Sequence, residues 1–390
     1  MTRYLIALLV FFGLNCYAQN THKGLVLVAD GKEPLEFVSV FNSTDNTMTN
    51  ADGRFQFTSK LDSVFFYSPG YEKLATTFNA LKDTIYLQKN VFELDEVVVT
   101  NQKSLLQEVF NDLDKNYSSQ PYKEKFMLRA VAKYNGSIYR LQDITGKLSK
   151  KTFIIDKDIK PSKKDFLLEL TNMRKLGIKY DDNKAYLVFS SIEYLYNRLA
   201  DVKITEANYD FDEQSVKGSD EINLNFESSK TSDSLWRFTG YYVLDSTSKA
   251  IKEFKINTLF KNNPYNKSKW LRYRTTSYKV QVSFKKNQNT NLYFLSSGSY
   301  EVNVETTDEE RSFTSNYNIK FILTTSDNFG DFEVTKNSSA TKDIFKLDHP
   351  YTEEYWATQN QLLLTNEMVQ FISEMGKDDH EFKISSNLKN

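Results

Sequence analysis

The chain nearly lacks cysteine. Cys16 is the only one in 390 residues, and it lies inside the first apolar run. A chain processed beyond that point has no thiol, which excludes disulfide frameworks and thiol catalysis. Histidine is almost as scarce, with His22, His349 and His380 alone, and no two of them share metal-binding spacing. A zinc-peptidase site needs clustered His and Glu ligands, so these three are expected to be solvated loop residues. Ser-His and Cys-His arrangements then lack a base. There is no Gly-x-Ser-x-Gly elbow and no phosphate-cradling glycine loop. Acids are plentiful, but no pair stands out as a two-carboxylate glycosidase site. No charge excess exists either, because Lys+Arg 50 face Asp+Glu 51. That balance gives no basic footprint for nucleic acid. No catalytic, cofactor-binding or metal residue is expected, no cofactor is implied, and no specific ligand-binding residue is identified.

The N-terminus carries the single long apolar run. Arg3 precedes Tyr4 to Leu14, a stretch of signal-peptide length that is too short to span a bilayer. Ala18 and Cys16 at the −1 and −3 positions predict cleavage after Ala18. A lipid anchor on Cys16 is the alternative, and Asn15 before it fits that pattern poorly. No later stretch approaches a membrane span, so no transmembrane segment is expected after cleavage.

What the chain has in quantity is aromatic residues, Tyr 24 and Phe 29, against Gly 13 and Pro 6. Aromatics with Thr and Val runs favour sheets. Residues 22–100 divide into about seven short strands. "KGLVLVAD", "PLEFVSVFNS", "GRFQFTS", "DSVFFYS", "DTIYLQK" and "LDEVVVT" are separated by turn residues. "DSVFFYS" is apolar on both faces, as a central strand would be. Ser68-Pro69-Gly70-Tyr71 is a type II turn by composition. Asn50-Ala51-Asp52-Gly53 predicts a bend in which Gly53 takes positive φ and Asp52 bonds its local backbone. As a calcium loop it fails, since Met48 occupies the first ligand position and no Glu follows in place.

This run, "EPLEFVSV…TMTNADGRFQFTSK…SVFFYSPGYEKL…DTIYLQ…LDEVVVT", resembles the carboxypeptidase-regulatory-like domain, a transthyretin-like β-sandwich at the N-termini of many secreted and outer-membrane Bacteroidota proteins. The resemblance covers about a fifth of the chain. It implies a domain without catalytic residues, despite the family name. "LDEVVVT" resembles the segment that precedes the plug of TonB-dependent receptors, but no plug follows. The remainder resembles an uncharacterised envelope-protein group.

Residues 101–120 predict a linker helix. Leu105, Leu106, Val109, Phe110, Leu113 and Tyr117 form its apolar stripe, and Ser104 and Gln107 form a capping-box pattern. From 121 to 335 the chain alternates apolar and polar in many strands, for example Ile222-Leu224-Phe226 and Tyr278-Val280-Val282-Phe284. An antiparallel sheet with one apolar face follows. A helical insert near 160–200, from "DFLLELTNMRKL" and "SIEYLYNRLADV", is expected to fill its concavity. "FTGYYVLDSTSKAIKEFKI" resembles a hairpin of half-barrel lipoprotein-carrier-like domains. Tyr241, Tyr242, Trp270 and Tyr273 are candidates for sugar or lipid contact, with core packing the expected fate of strand aromatics. Lys163-Lys164 and Lys285-Lys286 are expected to be solvated ends of elements. Residues 336–390 predict a tail of two short helices capped by Thr352 and Thr365, frayed beyond Lys377.

The expected class is thus mainly β, an N-terminal seven-stranded sandwich followed by a larger antiparallel β-rich domain with a few helices. The expected function is non-catalytic binding or scaffolding at the periplasm or outer membrane, with an envelope protein, glycan or lipid as partner. The alternative is a carrier of a lipid or other apolar ligand in a half-barrel second domain, which requires a cavity of several hundred Å³; a hydrolase, the third reading, requires ionisable groups converging in one pocket.

Overall fold

In the computed structural model, the structure describes residues 20–90, 102–118, 121–150, 166–179, 189–205, 208–215, 220–229, 235–268, 271–287, 289–308, 313–325, 332–359, 362–375 and 383–388. The leader with Cys16, "LDEVVVT", Lys163-Lys164, Trp270 and His380 lie outside the described residues. The protein is mainly β and falls into two units. One comprises Met1–Asn90 with Gln359–Asn366, the other Val91–Thr358 with Glu367–Asn390.

The first unit holds seven strands: β1 (Asn20–Val28), β2 (Ser39–Phe41), β3 (Asn46–Met48), β4 (Arg54–Ser59), β5 (Ser63–Tyr67), β6 (Leu74–Thr77) and β7 (Thr84–Leu87). They form two sheets, ordered β4-β1-β7 and β3-β2-β5-β6. Period-two alternation turns Phe55 and Phe57 inward, while Arg54 stays exposed. Phe55 meets Phe66 of the other sheet edge-on at 5.4 Å. Val26, Val38, Val40, Val64 and Leu87 complete a shared core. Each such side chain contributes roughly 1.5–3 kcal/mol on burial.

The 50–53 bend is a turn with an unexpected division of labour. Gly53 has φ +73°, and a Cβ there would lie 2.6 Å from the Val26 carbonyl oxygen. Asn50, not Asp52, braces the local backbone. Its Oδ1 accepts from the Asp52 and Arg54 N–H groups at 3.0 and 2.9 Å. The Asp52 carboxylate instead accepts from the Asn366 N–H at 2.7 Å. Asn50 thereby satisfies the local backbone that Asp52 was expected to serve.

The second unit is built on one antiparallel sheet. Its strands are β8 (Tyr122–Tyr134), β9 (Ser137–Lys150), β10 (Phe166–Lys179), β11 (Tyr209–Ser215), β12 (Glu221–Ser228), β13 (Trp236–Asp245), β14 (Ile251–Phe260), β15 (Asn266–Lys267), β16 (Arg272–Lys286), β17 (Tyr293–Thr307), β18 (Thr314–Thr325) and β19 (Lys383–Ser386). Their order is β11-β12-β13-β14-β16-β17-β18-β8-β9-β10-β19, with β15 paired to β16. The β13–β14 hairpin turns between Asp245 and Ile251, where Asp245 Oδ1 accepts from the Thr247 and Ser248 N–H groups.

Helix α1 (Gln102–Asn111) and the short α2 (Leu113–Asn116) belong to this unit. Helix α1 begins two residues before Ser104, so Ser104 is not its cap. Leu105, Leu106, Val109, Leu113 and Tyr117 are buried in the main core, and the Tyr117 hydroxyl donates to the Ile251 carbonyl at 2.6 Å. Helix α3 (Ile192–Ala200) is capped by Ser191, whose side chain accepts from the Tyr194 N–H.

The sheet curls around α3. Strands β10 and β16 are five steps apart, roughly 24 Å along a flat sheet at about 4.8 Å per step. Yet Tyr196 of α3 lies 6.3 Å from Phe166 of β10, and Arg198 lies 5.2 Å from Tyr278 of β16. One helix of about 10–12 Å diameter reaches both only if the sheet is curved. Its concave face is filled by Leu195, Tyr196 and Leu199 with side chains from β8 to β18. On the opposite face lie α4 (Glu353–Thr358) and α5 (Asn366–Met375), which begin directly after Thr352 and Thr365. Trp356 of α4 sits 4.9 Å from the Arg174 guanidinium.

Two expected elements differ. Only 192–200 of the 160–200 insert is helical among the described residues; Phe166–Lys179 is strand β10. A register shift between Leu170 and Asn172 explains the misreading. Phe166, Leu168 and Leu170 point inward, the bulge advances the phase, and Asn172 to Arg174 are all buried. The resulting apolar spacing imitates a helix. The tail is not frayed throughout, because Lys383–Ser386 adds β19 to the open edge of β10. Asn387 fixes it there: its amide donates to the Met173 and His349 carbonyls at 3.0 Å, and its oxygen accepts from the Lys175 N–H.

Candidate functional site

The concave face is not filled completely. Past the last turn of α3 a half-open pocket of about 180 Å³ remains. The sheet supplies an apolar floor, with Phe238 of β13, Phe254 and Ile256 of β14 and Val280 of β16. Alternation along three neighbouring strands places these side chains on one face. Tyr209 and Tyr278 add ring walls, and Ile204 closes one side. Arg198, Asp201 and Lys203 bring charge to the rim.

Arg198 is the distinctive group. Its guanidinium lies over the Tyr278 ring at 5.2 Å, and its only ion-pair neighbour among the described residues is Asp201 at 3.8 Å. Its Nε is buried with no hydrogen-bond partner there. Lys203 makes no ion pair among the described residues. Two cations face one acid beside an apolar floor, so the pocket suits an apolar group with an anionic end.

Elsewhere the sheet buries ionisable groups that its alternation pattern disguised. Glu124 of β8 is 1 % exposed on the concave side, near Tyr122, Lys150 and Tyr196. Burial pushes its carboxyl up to about 7, against the pull of the Tyr196 hydroxyl and Lys150 ammonium. Glu253 of β14 faces the other way, beside Tyr241. Burial also raises it to about 7, although Tyr241, Ser283 and Gln281 donate to it. Both glutamates hide in "KEK" and "KEF", where flanking lysines suggest a solvated face. They point to opposite faces from strands four steps apart, so they do not form a carboxylate pair.

A third cluster is structural. Arg129, Asp143 and Arg174 stand directly across from one another on β8, β9 and β10. Burial pushes the Asp143 carboxyl up, but the two guanidiniums outweigh it and hold it below the ordinary value.

The sequence candidates scatter. Tyr242 is core, its hydroxyl donating to the Val202 carbonyl at 2.6 Å. Tyr241 serves Glu253, and Tyr273 is 38 % exposed. His22 is half-buried and lies on strand β1, not in a loop, near the Lys82 carbonyl, and His349 is half-buried before Pro350. Among the described residues no three His, Cys, Asp or Glu converge to hold a metal ion. No described helix is long and apolar enough to cross a membrane. Of the pocket residues, Phe238, Phe254, Ile256, Tyr278 and Val280 are legible in the sequence, as apolar strand positions; the others are not. The signal that was available is Arg198 in "YLYNRLADV", a charge on the last turn of an amphipathic helix.

No protein-family profile matches the chain, and no curated protein matches it. Among solved structures it is similar to a LolA-superfamily protein from Nitrosomonas europaea, at 11 % identity and TM-score 0.22, over 60 % of this chain and 97 % of that one. It is also similar to MucB in complex with MucA(peri), at 7 % identity and TM-score 0.15, over 58 % of this chain and 94 % of that one.

Proposed function

We propose that this is a non-catalytic binding protein of the bacterial cell envelope, working at the periplasm or outer membrane. Its second unit takes a short apolar group with an anionic end in the pocket beside Arg198. The pocket is the observation that carries the reading, because it joins an apolar floor to an incompletely paired guanidinium. The leader at 1–18 supports the location. The first unit is read as a carboxypeptidase-regulatory-like domain, supported by its seven strands in two sheets and its turns at Gly53 and Gly70.

Size limits the ligand. Pockets for drug-sized molecules occupy roughly 300–1,000 Å³, and this one offers about 180 Å³. Helix α3 holds the space that a whole lipid would need. The geometry therefore favours a medium-length acyl or aryl carboxylate, or the end of a larger molecule, over a carried lipid.

Calorimetric titration with a series of straight-chain fatty acids tests this. One chain length is expected to bind best, and Arg198→Met is expected to weaken it about tenfold, the loss of one charge-assisted contact of about 1.4 kcal/mol. Equal binding by wild type and Arg198→Met would refute the site. Mass spectrometry of species co-purified from native envelope then names the physiological ligand.

A further inference from the structure

One end of the large sheet leaves apolar side chains in water. Leu235 is 50 % exposed, Trp236 47 % and Leu259 61 %, with Tyr273 close behind. They are neighbours where β13 begins, β14 ends and β16 begins. Trp236 pairs with Phe260 and Arg237 with Leu259 across the β13–β14 ladder. The Lys261 N–H donates to the Leu235 carbonyl, and the Asn263 amide reaches the Thr275 carbonyl. Strand alternation puts Trp236 and Phe260 on the concave side and Leu259 on the other. The sheet end is therefore apolar on both faces, an arrangement that core burial does not require.

Among the described residues, basic groups outnumber acidic ones around it. Arg237, Lys261 and Lys267 are exposed, and Arg272 is half-buried. Arg274 is paired with Glu305, and Asp308 is the other described acid at the end of β17. The primary structure segregates the same way. Nine lysines and arginines, and no aspartate or glutamate, occur from Phe254 to Tyr300, in a chain whose totals balance.

We propose that this end of the sheet docks on an anionic lipid surface. Trp236, Leu259 and Tyr273 enter the boundary between headgroups and acyl chains, where Trp and Tyr are favoured. Lys261, Lys267, Arg237 and Arg272 meet the lipid phosphates, which attract basic groups near the surface. An acidic protein would match the charge. It would not match apolar groups that project from both faces of a strand end, whereas a fluid interface closes around such a tip from every side. The tip adjoins the pocket, with Trp236 6.5 Å from Phe238 and Phe260 5.8 Å from Tyr278, but Trp236, Leu259, Lys261 and Lys267 do not line it, so docking does not require the pocket to be occupied.

Co-sedimentation of the purified protein with vesicles tests the proposal. It is expected to bind phosphatidylethanolamine vesicles containing phosphatidylglycerol at least tenfold more tightly than phosphatidylcholine vesicles, with binding weakened by salt. Trp236→Ser with Leu259→Ser, and separately Lys261→Glu with Lys267→Glu, are each expected to reduce binding at least tenfold. All four residues are exposed, and unchanged melting curves confirm that the variants remain folded. Failure to bind anionic vesicles overturns the proposal, as does binding that survives both double substitutions. Tip-dependent binding of polyglutamate without vesicle binding also overturns it, in favour of an acidic protein partner.

Discussion

Glu253 is held by three donors yet sits in a place where its charge is disfavoured. Burial is the larger influence, so the folded protein keeps the carboxyl protonated up to about pH 7, while the unfolded chain releases that proton near the ordinary value of 4.5. Between those values the folded state binds more protons than the unfolded state. Stability from this group is therefore greatest below about pH 4.5, falls as pH rises to about 7, and is flat above that. Glu124 has the same sign and the same window. Asp143 has the opposite sign, with its folded value depressed, so it loses stability only as pH falls through the acid range. Glu253→Gln keeps the shape and removes the titration. We expect it to remove about half of the stability lost between about pH 5 and pH 7, on the order of 1–3 kcal/mol. Urea unfolding at a series of pH values reads this directly, and parallel curves for wild type and variant would rule it out.

Elements show how far periodicity carries. The strands of the first unit and most of the large sheet are legible because one face is apolar and the other wet, as in Arg54–Ser59. Helix α3 is legible for the same reason at a different period, since Ile192, Leu195, Tyr196 and Leu199 share one face. Strand β10 is not, because its bulge adds a residue and superimposes two phases. Strand β19 is not, because "KISS" has no apolar face; its place comes from the open edge of β10 and from Asn387. The pocket is illegible for a third reason: it is the space left where α3 ends, and no residue pattern encodes a gap. The last turn of α3 packs directly on Gly298 of β17. A Cβ there would lie 2.8 Å from Leu199 Cδ1 on the last turn of α3. Gly298→Val is expected to push that turn outward and destabilise the second unit by about 1–3 kcal/mol, as overpacking does. Since Arg198 rides on the same turn, fatty-acid binding is expected to weaken with it. Gly298→Ala, whose single methyl meets the movable end of Leu199, is expected to cost less on both measures. Equal effects from the two substitutions would mean that α3 is not seated by this contact.

Across the whole molecule, the two cores have no residue in common, yet the first unit is not one continuous stretch of chain. Gln359–Asn366 returns to it after more than two hundred intervening residues. Asn50 links that return to the turn. Its oxygen accepts from the Asp52 and Arg54 N–H groups, while its amide donates to the Leu364 carbonyl at 3.0 Å. Met48 bridges to Leu362 in parallel, and Asp52 accepts from Asn366. Asn50 is 2 % exposed, so its three bonds are held largely out of water. Asn50→Ala leaves the Asp52 and Arg54 N–H groups and the Leu364 carbonyl, all part-buried, without their side-chain partner, at a total cost of about 1–3 kcal/mol. Asp52→Ala removes one contact near the surface and is expected to cost under about 1 kcal/mol. Calorimetry should show the Asn50→Ala loss in the transition of the first unit and leave the fatty-acid affinity of the second unchanged. A fall in that affinity would show that the return segment matters to the second unit as well. A loss no larger than that of Asp52→Ala would mean that the turn holds without its asparagine.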